Sequence, residues 1–221
     1  LSESVVEVQE SYKEFGISPV QKLANLGVLS ARTSAAHCVQ LDENDLDLLA
    51  QHQVHVLYNP SSNLKLGNGF ARIGEMIRRG INVAIGTDGS SSNNNVNMLE
   101  ELHLAAMVNK GVDRDPTVLP AAEAIRMATL GGARALGLNE VGGLAAGYKA
   151  DLILIDIDKP HLTPLGDPLS AVVYSAAGAD VTDMLVDGRF LMRDSRILTF
   201  DEKEVMQKIR EIAPRLLGTT E

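Results

Sequence analysis

A chain of 221 residues with 45% hydrophobic and 22% charged side chains has an ordinary globular balance, enough for one large domain or one and a half. Twenty basic against twenty-nine acidic residues give a formal net charge of -9, which argues against nucleic acid as the main partner, because phosphate binding needs basic stripes. The one cysteine, Cys38, cannot close an internal disulfide, so a reducing cytoplasm is expected; no apolar run reaches the length of a membrane span, and none reads as a signal peptide.

Residues 3–15 predict an amphipathic helix with Val5, Val6, Val8, Tyr12 and Phe15 near one side, ended by Gly16. "SPVQKLANLGVL" predicts a short helix with Ser18 as cap and Pro19 in its first turn. "TSAAHCV" reads as a strand and "DENDLDLLAQHQ" as a helix whose acidic first turn suits the helix dipole. "VHVLYNP" is a strand stopped by Pro60, "NPSSNLKLGNG" a loop, "FARIGEMIRRG" a helix and "INVAIGTDG" a strand. "VNMLEELHLAAMVNK" is again a helix. This alternation with short connections is the rhythm of a parallel α/β protein.

From residue 116 the pattern turns helical and alanine-rich, and then changes texture. "GGLAAGYKADLILIDID" is a glycine turn entering a strand expected to be buried. "AVVYSA" and "VTDMLVDGRFLMRDSRILT" follow, the latter a hairpin with Asp187-Gly188 at its turn. Residues 140–200 read as part of a small β-domain with few strands, and 201–221 as an amphipathic C-terminal helix.

In parallel α/β folds chemistry sits at the C-terminal ends of strands. That rule selects His37, Asn59 and Asp88. Asp88 has three readings: a turn cap, part of a backbone nest for phosphate in "GTDGSSS", or a metal ligand or general base. His37 is either a packed residue or a group that hydrogen-bonds a substrate oxygen or polarises a metal-bound water. The segment Asn59 to Gly69 is a plain turn or a pocket wall. His52, His55, His103 and His161 read as structural or solvent-facing. Cys38 adjoins His37, but strand neighbours point to opposite faces, so a Cys-His pair is not expected. No paired-cysteine or His-Glu-x-x-His zinc spacing occurs.

Taken in order, "HCVQL", "NPSSNLKLGNG" and "GTDGSSSNNNVNM" resemble the amidohydrolase superfamily, and within it the 5'-methylthioadenosine/S-adenosylhomocysteine deaminases. "GGLAAGYKADLILID" is similar to that superfamily's return into its small β-domain. The resemblance implies an α/β fold, the C-terminal part of a (β/α)8 TIM barrel over residues 1–139 followed by part of a small β-sandwich domain. It implies one divalent metal, zinc first with iron, manganese or nickel as alternatives. Asp88 matches the family's metal-ligand aspartate and His37 its substrate-contacting histidine. Leu1-Ser2-Glu3 match the last three positions of a His-Leu-x-Glu motif, which makes Glu3 the candidate proton shuttle and puts a metal-ligand histidine just before Leu1. On that resemblance the chain is expected to be the C-terminal half of a longer protein, with the other metal ligands in the N-terminal half.

The implied reaction is deamination of adenosine-type nucleosides at C6 by metal-activated water. Asp88 would take the water proton, Glu3 would protonate ring nitrogen N1, and His37 would steady the tetrahedral centre. The partners expected are a small-molecule nucleoside, the N-terminal half of the same protein and a second copy in a homo-oligomer, with no nucleic acid and no membrane. Alternatives are a related guanine deaminase or chlorohydrolase and, in another class, a metal-free barrel scaffold.

Overall fold

The computed structural model describes residues 1–218. The elements run α1 (Val5–Phe15), α2 (Pro19–Asn25), β1 (Ser34–Ala36), α3 (Glu43–Gln51), β2 (His55–Tyr58), α4 (Pro60–Lys65), α5 (Ile73–Arg78), β3 (Asn82–Ile85), α6 (Ser90–Asn93), α7 (Met98–Asp113) and α8 (Ala121–Arg126). A π-helical turn, Met127–Gly131, joins α8 to α9 (Gly132–Ala135). Then come β4 (Leu152–Ile155), α10 (Pro168–Tyr174), β5 (Val181–Val186), β6 (Arg189–Arg193), β7 (Arg196–Ile197) and α11 (Glu202–Leu217).

Local chemistry sets the helix starts. Ser4 Oγ accepts the Glu7 amide at 3.2 Å and opens α1, and Gly16 at φ 72° closes it. Ser18 caps α2 ahead of Pro19. Asp42 and Asp45 form a reciprocal capping box at α3.

Strands β1, β2 and β3 form a parallel sheet in that order, with Ala35 beside Val56 and Val56 beside Val83. Parallel strands need crossovers, and the helical segments between them supply those and cover the sheet. Val56, Tyr58, Val83 and Ile85 are buried with Leu46, Leu49, Ile73, Met76, Leu102, Ala105, Ala124 and Met127 in one apolar core. The coarse architecture is therefore α/β. Leu1 lies beside the end of β1: its amino group donates to the Ala36 carbonyl at 3.0 Å, and its own carbonyl accepts the Cys38 amide at 3.1 Å.

The second sheet is antiparallel, in the order β4-β5-β6-β7. Asp187 (φ 51°) and Gly188 (φ 74°) make the turn between β5 and β6, where a two-residue hairpin needs positive φ.

The structure departs from the sequence reading in four places. "NPSSNLKLGNG" is not a plain loop, because Pro60, pre-set in φ, starts α4 directly after β2. "TSAAHCV" yields a strand only to Ala36, since His37 (φ 69°) and Cys38 (φ 52°) turn the chain out of extended conformation. The strand in "ADLILID" is not enclosed: Ile153 is 42% and Leu154 51% exposed. "AVVYSA" falls in α10, which packs on α7 and α8 rather than in the second sheet; the His103 ring holds the Val173 carbonyl at 3.2 Å. Of the tail read as helical over 201–221, Glu202–Leu217 form α11, capped by Asp201, with Val205, Met206, Ile209 and Ile212 exposed, while 219–221 lie outside the described residues.

At Gly131 the helical layer packs tightly on the sheet. A Cβ there would lie 2.5 Å from the Val83 carbonyl oxygen, and the Gly131 carbonyl accepts the Asn82 side-chain amide at 3.0 Å. The neighbouring Gly132 is helical, and a Cβ there meets nothing within 4 Å. Gly131→Ala in the intact protein should therefore lower stability by about 1–3 kcal/mol through overpacking, while Gly132→Ala should be neutral or raise it by about 0.4–1 kcal/mol. Urea denaturation of both variants checks this, and equal effects would contradict the packing described.

Candidate active site

The C-terminal ends of β1, β2 and β3 open on one side of the parallel sheet, as they must when neighbouring strands run the same way. His37 follows β1, Asn59 follows β2, and Asp88 stands three residues beyond the end of β3. His37 (φ 69°) and Asp88 (φ 61°) both occupy the left-handed region, which is uncommon for side chains other than glycine. Surrounding contacts must hold these conformations.

One segment contributes a contact to each. From α4, Ser62 Oγ donates to Asp88 Oδ2 at 2.8 Å. The next residue, Asn63, places Oδ1 3.0 Å from His37 Nδ1. Five residues on, Asn68 Nδ2 donates to Glu3 Oε1 at 2.7 Å. Lys65 Nζ reaches across to the Ser91 carbonyl at 2.9 Å and so ties down the turn after Asp88. The run from Asn59 to Gly69 thus touches Glu3, His37 and Asp88.

Asp88 takes a second hydroxyl bond from Ser92 at 2.7 Å, also on Oδ2. The Ser92 and Ser62 bonds hold its carboxyl below the usual carboxylate range against a smaller opposing effect of burial; the His37 charge adds a little in the same direction. Asp88 is accordingly a carboxylate at neutral pH.

His37 is buried, with its two nitrogens on different partners. With the Asn63 amide oriented so that its oxygen faces the ring, Nδ1 carries the hydrogen. Nε2 faces Glu3 Oε2 at 3.6 Å, too long for a hydrogen bond, and the two make an ion pair only with a protonated ring. Asn63 Nδ2 is buried and has no hydrogen-bond partner among the described residues.

Glu3 is positioned from behind. Glu7 accepts the Ser2 amide at 2.8 Å and the Glu3 amide at 2.6 Å, fixing a bend in which Ser2 has φ 49°. Gly86 makes room for the Asn59 side chain: a Cβ there would meet Asn59 Oδ1 at 2.7 Å.

The other histidines lie elsewhere. His55 Nε2 bonds the Ala31 carbonyl at 3.2 Å, His161 Nε2 bonds Asp180 at 2.8 Å, and His52 caps the end of α3. Cys38 is fully buried, and burial pushes its thiol up to about 12. The alternation argument against a Cys-His pair does not apply at two residues with positive φ, but the desolvated thiol leads to the same conclusion.

A metal would find part of a site. Asp88 offers an ionised carboxylate held in place by two hydroxyls, which suits a hard or borderline cation. Among the described residues no group of three His, Cys, Asp or Glu side chains could hold a metal ion, and a zinc site needs about three protein ligands, so Asp88 alone would not complete one.

Ser62, Asn63, Asn68, Ser92 and Glu7 were not identified individually from sequence. The usable signal was the density of amides and hydroxyls in 59–69 and 90–97, directly after two strand ends.

A profile of the amidohydrolase family matches residues 2–191, and the chain belongs to that family. Within it, the chain is 48% identical over 218 residues to the 5-methylthioadenosine/S-adenosylhomocysteine deaminase of Acetivibrio thermocellus, covering 98% of this chain and 51% of that protein. Among solved structures, an adenosine deaminase from Xanthomonas campestris with bound zinc is similar at TM-score 0.96 and 36% identity, over 98% of this chain and 50% of the other. An atrazine chlorohydrolase from Arthrobacter aurescens, also complexed with zinc, is similar at TM-score 0.90 and 28% identity, over 96% and 47%. The chain spans about half the length of the curated relatives it matches. No helix among the described residues is long and apolar enough to cross a membrane.

The buried thiol gives a direct check on this geometry. Cys38 in the native protein should resist alkylation at pH 8 and react fully once unfolded. Rapid native labelling at Cys38, read by peptide mass spectrometry, would contradict the burial described.

Proposed function

We propose that this chain is the C-terminal part of a metal-dependent aminohydrolase that deaminates adenosine-type nucleosides at C6. The classes envisaged are 5'-methylthioadenosine, S-adenosylhomocysteine and adenosine, with inosyl products. In this reading residues 1–139 belong to a (β/α)8 barrel, 140–200 to a small β-sandwich domain from which α10 returns to the barrel, and 201–221 to a C-terminal helical segment. The observation that carries it is the meeting of Glu3, His37 and Asp88 through contacts from one segment, in a chain 48% identical to a named deaminase of this substrate class.

Asp88 would hold a divalent metal, zinc first, together with ligands outside this chain. When bound, such an ion supplies the Lewis acidity that makes water a nucleophile near neutral pH. Asp88 is suited to receive the proton of the attacking water, since its two serine partners leave it ionised. Glu3 delivers a proton to ring nitrogen N1 and then carries one toward the departing ammonia; Asn68 and Glu7 fix it for both transfers. His37, pinned through Nδ1 by Asn63, hydrogen-bonds the tetrahedral centre through Nε2. The C6–O bond forms first and gives that tetrahedral centre; the C6–N bond then breaks, so water and the nucleoside give the inosyl product and ammonia.

A second reading within the same chemistry, guanine deamination or displacement from a triazine, draws on the chlorohydrolase likeness at 28% identity. The much higher identity to the adenosine-type enzyme favours the first.

The intact protein should consume the adenine absorbance of one or more of the three nucleosides, faster than it acts on guanine or triazines. Chelation should abolish turnover and added zinc should restore it. Asp88→Asn and Glu3→Gln should each keep the fold and lose about 10²–10⁴-fold in kcat. Wild-type rates in Asp88→Asn, or inert wild-type protein, would overturn the assignment.

A further inference from the structure

Glu101 is a buried carboxyl group that the proposed mechanism does not use. It lies in the first turn of α7 and is 0% exposed. Its Oε2 accepts the backbone amide of Ser61 at 3.1 Å, and its Oε1 accepts Asn93 Nδ2 at 2.7 Å. Asn93 is buried too, and its Oδ1 accepts the Val96 amide at 2.7 Å.

The two groups on Glu101 are each one residue from a hydroxyl that holds Asp88. Ser61 precedes Ser62, and Asn93 follows Ser92. The first amides of a helix have no partner within it, and the N-cap of α4, Asn59, makes no side-chain capping bond. Glu101 therefore fills from a neighbouring helix the place a cap would fill. A carboxyl group removed from water is costly unless its oxygens find donors, so α4 and α6 cannot leave α7 without exposing that cost.

We propose that Glu101 is a positioning residue for Asp88: it joins the start of α4 to the turn of α6 and so sets where the Ser62 and Ser92 hydroxyls stand. Its structural part is independent of the proposed function; its kinetic part rests on that reading. A glutamine would test it at nearly constant volume. Both groups facing Glu101 are donors, whereas a glutamine amide offers one acceptor and one donor. Glu101→Gln therefore releases either Ser61 or Asn93.

The experiment is a crystal structure and a kinetic double-mutant cycle on the intact protein. In Glu101→Gln, one of Ser62 Oγ and Ser92 Oγ should leave hydrogen-bond range of Asp88 Oδ2, and kcat should fall about 10–100-fold. Adding Glu101→Gln to a Ser62→Ala, Ser92→Ala background should lower kcat no further. Both hydroxyls in place on Asp88, or the same full loss repeated in the double-alanine background, would overturn the proposal. Should Glu101→Gln fail to fold, Asn93→Ala removes one arm only. Ser92 should then leave Asp88 while Ser62 stays, and an unmoved Ser92 would overturn the proposal. Wild-type protein inert on every nucleoside would sink the proposed function instead, and the crystal structures would still decide the role of Glu101.

Discussion

The hydrogen bond from Ser62 to Asp88 and that between Asn63 and His37 come from adjacent residues of one short helix, and the rest of the site depends on that adjacency. Asn68, at the end of the same segment, adds Glu3. Three side chains from distant parts of the sequence acquire a common frame because a fourth segment bonds to each. Catalytic geometry tolerates errors well under an ångström, so a shared support has an advantage over three separate ones.

That support works against two local costs. His37 and Asp88 sit at positive φ, and the strain is tolerable only where neighbours over-determine it. Their neighbours do so through buried polar groups, which need partners of their own. Glu101 meets part of that need for α4 and α6, and Glu7 does the same for the bend at Ser2 and Glu3. Polar groups are thus braced at both ends of the site, by Glu7 from α1 and by Glu101 from α7. The apolar core below it is ordinary, with β2 and β3 enclosed by helices.

The second sheet stands in a different situation. Its strands carry apolar residues exposed in this chain, as α11 does, so alternation and burial part company there. A strand read as buried from composition alone is a statement about side-chain chemistry. Whether a partner surface covers it depends on the whole assembly, and this chain spans about half of its relatives' length.

Much of the fold was legible because its signals are local. The Ser18 cap, the Gly16 stop, the Asp-Gly turn and the parallel α/β rhythm all depend on residues a few positions apart. The strand-end rule selected His37 and Asp88 for the same reason, and the family resemblance supplied Glu3. What sequence could not give is which polar residue answers which. Ser62 and Asp88 are 26 positions apart, Asn68 and Glu3 are 65, and Ser61 and Glu101 are 40. Nothing in local propensity encodes such pairs; they exist because parallel crossovers return successive strand ends to one side of a sheet. The sequence by itself determined the elements and the chemistry placed at their ends. Only the tertiary structure decided that one segment, anchored by a buried glutamate, would hold those groups together.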